Sequence, residues 1–159
     1  MNRRELVLAG LATPVLAVPG LAFAHHGWSS FDQERPIYLE GRAASVKWQN
    51  PHAELVLEVP ADLKVPADLA SRAVPQQSAP VDGKALLSRA SVPTRKDRKW
   101  EIELAPLTRM NAWKVPEIRP GSQVALVGFT FKEEKGDPIL RVEYLFLEGK
   151  AYGLRSGPA

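Results

Sequence analysis

The sequence predicts an all-β domain with one short helix, closed as a small five-stranded antiparallel barrel. Three observations carry that expectation. Short segments alternate apolar and polar residues, the mark of half-buried strands. Turn signals rich in Gly, Pro, Asn and Asp bound those segments. A single stretch, Leu107 to Trp113, instead spaces Leu107, Met110 and Trp113 as a helix would.

The elements follow in chain order. Val46 and Trp48 alternate with polar neighbours in the segment 40–48, giving a first strand. Gln49-Asn50-Pro51-His52 is a turn signal, because Asn-Pro initiates turns and Pro51 has no backbone donor. Ala53, Leu55, Leu57 and Val59 then share one face of a second strand, forming a hairpin with the first. Between Pro60 and Arg98 the character changes. Pro60, Pro66, Pro75, Pro80 and Pro93 interrupt a stretch rich in Ala and Ser. Residues 67–73 and 84–88 suggest helical turns, but no period persists, so the sequence predicts a flexible insertion here. Its closing run, Arg95-Lys96-Asp97-Arg98-Lys99, reads as a solvated loop.

Trp100-Glu101-Ile102-Glu103-Leu104 alternates as a third strand. The short helix follows, with Met110 and Trp113 placed to plug a barrel end. Arg119-Pro120-Gly121-Ser122 turns the chain into a fourth strand over 123–131. Lys135-Gly136-Asp137-Pro138 turns it back into a fifth over 139–147. Gly41 and Gly128 suit the sharp coiling that small barrels need. After a turn at 147–150 the remaining residues read as a tail, with the domain spanning 25–155 and 156–159 trailing it. Five strands with a helix between the third and fourth is the plan of an OB-like barrel.

Residues 1–24 have the form of an export leader. Arg3 and Arg4 precede a mostly Leu, Val and Ala run, and Ala22-Phe23-Ala24 resembles a signal-peptidase site. The start Asn2-Arg3-Arg4-Glu5-Leu6-Val7 is similar to a twin-arginine signal, with general secretory export as the alternative. Pro14 and Pro19 make the run too short to span a membrane, so no transmembrane anchor is expected after cleavage. These features predict a periplasmic or secreted protein. The net charge of +3 is too small and too dispersed for nucleic acid, which is set aside as a partner. With no cysteine in the chain, disulfides, thiol chemistry and Cys-ligated zinc are excluded.

The motifs Ala24-His25-His26-Gly27-Trp28 through Phe31-Asp32, Leu39-Glu40-Gly41, Val46-x-Trp48-x-Asn50-Pro51-His52 and Gly149…Leu154-Arg155 resemble a bacterial exported family, domain of unknown function 6152. The resemblance implies an exported β-barrel and carries no activity or substrate. The long insertion at 60–98 departs from that family's shorter linker.

All three histidines lie in those motifs. Cleavage after Ala24 makes His25 the first residue, offering its amine and its ring to one metal ion. Copper(II) favours such nitrogen-rich ligand sets and heads the divalent affinity series. His26 and His52 are the candidate further ligands, so His25, His26 and His52 form the candidate metal set. The competing reading makes them solvated polar residues. No catalytic constellation stands out. Asp32, Glu34 and Glu40 are scattered carboxylates, and Ser29 and Ser30 lack a nucleophile elbow. Trp28, Phe31 and Tyr38 read as anchors for an amino-terminal arm. The expectation is an exported binding protein, not an enzyme, with copper as the specific ligand. The alternative is a metal-free module that meets an envelope protein through its barrel face or its 60–98 loop.

Overall fold

The computed structural model describes residues 27–159. The leader, His25 and His26 therefore lie outside the described residues. The chain forms β1 (Ile37–Lys47), β2 (Glu54–Glu58), α1 (Gly83–Arg89), β3 (Lys99–Glu103), α2 (Leu107–Ala112), β4 (Gln123–Phe129), β5 (Ile139–Leu147) and β6 (Lys150–Gly153). Among the described residues no helix is long and apolar enough to cross a membrane.

The sheet runs β3-β2-β1-β4-β5-β6, and a further pairing of β3 with β5 closes its first five strands into a ring. This is the OB-like barrel the sequence predicts, with one correction. The β3–β5 pair is parallel, through Glu101↔Ile139, Ile102↔Leu140 and Glu103↔Arg141. The reason is parity. Strands that alternate in direction cannot all be antiparallel around a ring with an odd number of members, so one seam must be parallel. A second correction concerns the end of the chain. Lys150–Gly153 pairs with β5 as β6, and Tyr152 and Leu154 are buried. Four residues are too few for an alternation to stand out, so this segment reads as a tail.

Alternation sets the interior. Leu39, Leu55, Leu57, Trp100, Ile102, Leu126 and Leu145 point inward, and Met110 of α2 joins them with Trp113 packed alongside, as the plug requires. Coiling strands this tightly brings backbones together. A Cβ on Gly41 would overlap the carbonyl oxygen of Glu58, and one on Gly128 that of Arg141. Gly128 also sits at a bulge. Val127 faces Tyr144 while Gly128 faces Val142, which leaves Glu143 as the extra residue of β5.

The segment 60–98, expected to be flexible, packs against the barrel. Its two suggested helical turns are a 3-10 turn at Leu69–Ser71 and α1. Asp82 caps α1 by accepting from the Ala85 amide at 3.0 Å. Leu69, Leu86 and Leu87 bury themselves on Tyr38, Val127, Phe129 and Tyr144, the outward residues of β1, β4 and β5. A hint of this cover is in the sequence, since β4 and β5 are apolar on both faces, as strands buried on both sides are. The physical reason the segment reads as loop is that its leucines pack on a distant face and follow no local period.

Glu134 pins the end of this strap. Its side chain, 2% exposed, accepts from the Arg35 guanidinium at 2.7 Å, from the Arg95 amide at 2.9 Å, and from the amide and hydroxyl of Thr94. Glu133 and Glu134 hold left-handed backbone (φ 58° and 55°) to aim that carboxylate. Burial works against its charge, but the Thr94 and Arg95 amides, the Thr94 hydroxyl and Arg35 outweigh it, holding the carboxyl below the ordinary glutamate range.

Two outcomes are expected. Gly128→Ala should destabilise the barrel by ~3 kcal/mol in urea unfolding, at the upper end of overpacking costs, since backbone must move. Gly157→Ala, which meets nothing within 4 Å, should leave stability unchanged. For Glu134, a depressed native pKa means a stabilisation that is complete above the ordinary glutamate range and is lost as pH falls through the native value. Melting temperatures followed from neutral into acid pH should therefore fall more steeply for wild type than for Glu134→Gln.

Candidate functional site

The amino-terminal arm enters along the outside of the barrel. Trp28–Ser30 form a 3-10 turn, the Trp28 carbonyl accepts from Gln33 Nε2 at 3.2 Å, and the Asp32 amide donates to Thr130 O at 2.8 Å. Phe31 stacks on Phe131 with ring centroids 5.0 Å apart. The anchoring role expected of Trp28 and Phe31 is thus met. The Trp28 ring lies edge-on to Phe129 and faces two guanidiniums, Arg155 at 4.1 Å and Arg141 at 4.9 Å. Both are within cation–π range.

Beneath this tryptophan is a network of charges. Glu143, the bulge residue, is fully buried. Its Oε2 accepts from Arg155 Nε at 2.7 Å, and Gln77 Nε2 of the strap donates to Oε1 at 2.9 Å. Arg155 also donates to Gln33 Oε1 at 2.8 Å, and the Ser156 amide donates to Gln77 Oε1 at 3.1 Å. Arm, strap, β5 and carboxyl-terminal segment therefore meet at one carboxylate. Next to it, buried Arg141 pairs with Glu103 of β3 at 3.2 Å. Arg109 of α2 donates to the Leu154 carbonyl at 2.9 Å, and burial, with the charge of Arg141 adding to it, pulls the Arg109 pKa down.

His52 belongs to the turn between β1 and β2 and is half-buried. Asn50 Oδ1 accepts from the Leu107 amide at 3.1 Å, which ties this turn to the start of α2. Ala53, the next residue, is buried and exchanges backbone hydrogen bonds with Leu104 and Ala105, and Glu54 pairs with Glu103. His52 thus lies two residues before β2, whose first residue, Glu54, faces Glu103 of β3; Glu103 in turn pairs with Arg141 of β5, over which Trp28 lies.

Of the predicted ligands, only His52 falls among the described residues. Within those residues no cluster of three or more His, Asp or Glu side chains could hold a metal. The scattered carboxylates stay apart: Asp32 accepts from the Glu34 amide at 3.2 Å, while Glu40 accepts from the Tyr38 hydroxyl at 2.6 Å. Glu40 lines a groove of about 560 Å³ with Arg42, Glu58, Arg98 and Phe146, away from Asp32. Sequence reasoning missed Arg109, Arg141, Glu143 and Arg155. One signal was present, since Arg141 and Glu143 interrupt the otherwise apolar Ile139–Leu147, and charges inside such a strand need partners.

Comparison with known proteins yields one match. Residues 12–67 match the model of a family of unknown function, DUF6152. This is the family that the sequence motifs resemble. The DUF6152 match takes in the arm, β1 and β2, and with them His25, His26, Trp28 and His52. It ends before α1, so Arg141, Glu143 and Arg155 lie beyond it. No curated protein and no solved structure matches the chain.

The Glu143–Arg155 pair gives a test of the anchor. Arg155→Gln strands a buried carboxylate and should cost about 3–5 kcal/mol in chemical denaturation. Adding Glu143→Gln should recover part of that loss, so the double variant is more stable than the sum of the single effects.

Proposed function

We propose that the protein is an exported binding protein of the cell envelope whose ligand is copper, held by the amine and ring of a mature His25 with His26 and His52. One observation supports this reading above the others: Trp28 is fastened over β5, two strands from the start of β2, which His52 precedes by two residues. Strands are spaced ~4.8 Å apart, so that distance is about 10 Å. A chain advances at most ~3.6 Å per residue, and His25 stands three residues before Trp28, so connectivity together with the reach of the side chains permits the two motifs to meet. Fastening the arm to the barrel also limits the freedom lost when ligands converge. Binding rather than turnover is the reading because the carboxylates are dispersed or already paired. The leader-like start supports export.

A second reading, the metal-free interaction module, is favoured by the open groove at Arg42, Glu58, Arg98 and Phe146, which is independent of the histidines.

Natively secreted protein, shown by mass spectrometry to begin at His25, is titrated with Cu(II) and followed by EPR. Tight binding with nitrogen hyperfine structure is expected, lost when an extra Ala precedes His25 and weakened at least about tenfold in His52→Ala. Weak binding that ignores both changes would overturn the copper reading and leave the groove.

A further inference from the structure

Among the described residues Arg141 pairs with Glu103 and Arg155 with Glu143, while Arg109 of α2 sits on the Leu154 carbonyl beside them. Arg155 is fully engaged, with Glu143 and Gln33 as partners and the Trp28 face against it. Arg141 is not. Its NH1 meets Glu103, but its buried Nε has no hydrogen-bond partner among the described residues. An unmet donor on a buried charged group costs about 1–3 kcal/mol or more, and proteins seldom leave one without a reason. Arg109 shows the complementary deficit. Among the described residues it is in no ion pair, and its acceptor is the neutral carbonyl of Leu154.

The two deficits adjoin. Leu154, whose carbonyl accepts from Arg109, donates its own amide to Glu143 O, two residues from Arg141 on β5. Arg141 is close enough that its charge adds to burial in pulling the Arg109 pKa down, and an anion between the two guanidiniums would turn that repulsion into attraction. Their N–H forks match the paired oxygens of a carboxylate or a phosphate.

We infer that Arg109 and Arg141 form a binding site for a small oxyanion, a carboxylate or a phosphate monoester, at the end of the barrel that Trp28 covers. The ligand oxygens accept from Arg141 Nε and from the Arg109 fork. Access requires the Trp28 indole to shift from the Arg141 face, and the half-buried position of that ring near the start of the arm suits such a movement. The site uses no histidine and stands whether or not copper binds.

The test uses full-length mature protein in EDTA at low, constant ionic strength. Inorganic phosphate and acetate are titrated separately, with chloride as the control, by calorimetry and tryptophan fluorescence. Saturable binding of at least one oxyanion is expected, with a fluorescence change that Trp28→Phe abolishes. Arg109→Gln, which removes one charge-assisted donor set, should weaken binding about tenfold or more. Preference for phosphate would mark a phosphoester ligand, and preference for acetate an acidic peptide or organic acid. If Arg109→Gln does not fold, Arg109→Lys keeps the charge, loses the fork and should still bind more weakly. No saturation by either anion below ~10 mM, or an affinity indifferent to Arg109, would overturn the proposal.

Discussion

β5 is asked to satisfy three neighbours, and the rest of the molecule follows from how it does so. One edge runs along β4. The other begins parallel to β3 at Ile139–Arg141 and ends antiparallel to β6 at Tyr144–Leu147. Between those two partners the strand must re-aim itself. The bulge at Glu143 makes that change, and Gly128 opposite it makes room. A bulged residue leaves the regular ladder, so its side chain and carbonyl need other partners. The Leu154 amide takes the carbonyl, and Arg155 with Gln77 takes the carboxylate.

That answer draws distant parts of the chain to one point. Arg155 comes from the end of β6, Gln77 from the strap and Gln33 from the arm. A buried ion pair adds little net stability over an apolar replacement, because desolvation offsets most of the attraction. What it contributes here is position: the strap and tail meet at Glu143 through Gln77 and Arg155, and the arm joins through Gln33 on Arg155. Apolar burial supplies the driving force, from the barrel interior and from the second cluster under Leu69, Leu86 and Leu87. Glu134 repeats the device at the other end of the strap, gathering Arg35, Thr94 and Arg95.

The candidate site is a by-product of this construction. Fastening the arm sets Trp28 over β5, and the β2–β3–β5 order separates it from the start of β2 by two strands. The same fastening leaves Arg109 and Arg141 crowded with too few acceptors. A nitrogen-rich metal set and an oxyanion site would then be neighbours, with Trp28 between them. An anion beside the arginines would offset their repulsion of an arriving cation.

The sequence by itself determined the strands β1 to β5, the helix between the third and fourth, and the barrel they make. Alternation in Ala53–Val59 and Trp100–Leu104, the turn residues, and the spacing of Leu107, Met110 and Trp113 are local, and local patterns are visible in one dimension. It also picked out Trp28 and Phe31 as anchors. Tertiary structure alone decided the parallel seam, which comes from the parity of a closed ring rather than from any strand. It alone decided that the Pro-rich segment is a packed strap, because Leu69, Leu86 and Leu87 find their partners on a face built more than thirty residues away in either direction. And it alone decided that Arg109, Arg141, Glu143 and Arg155 meet. Charges in a sequence carry no address for their partners; only the folded chain brings them within reach, and burial makes that meeting obligatory.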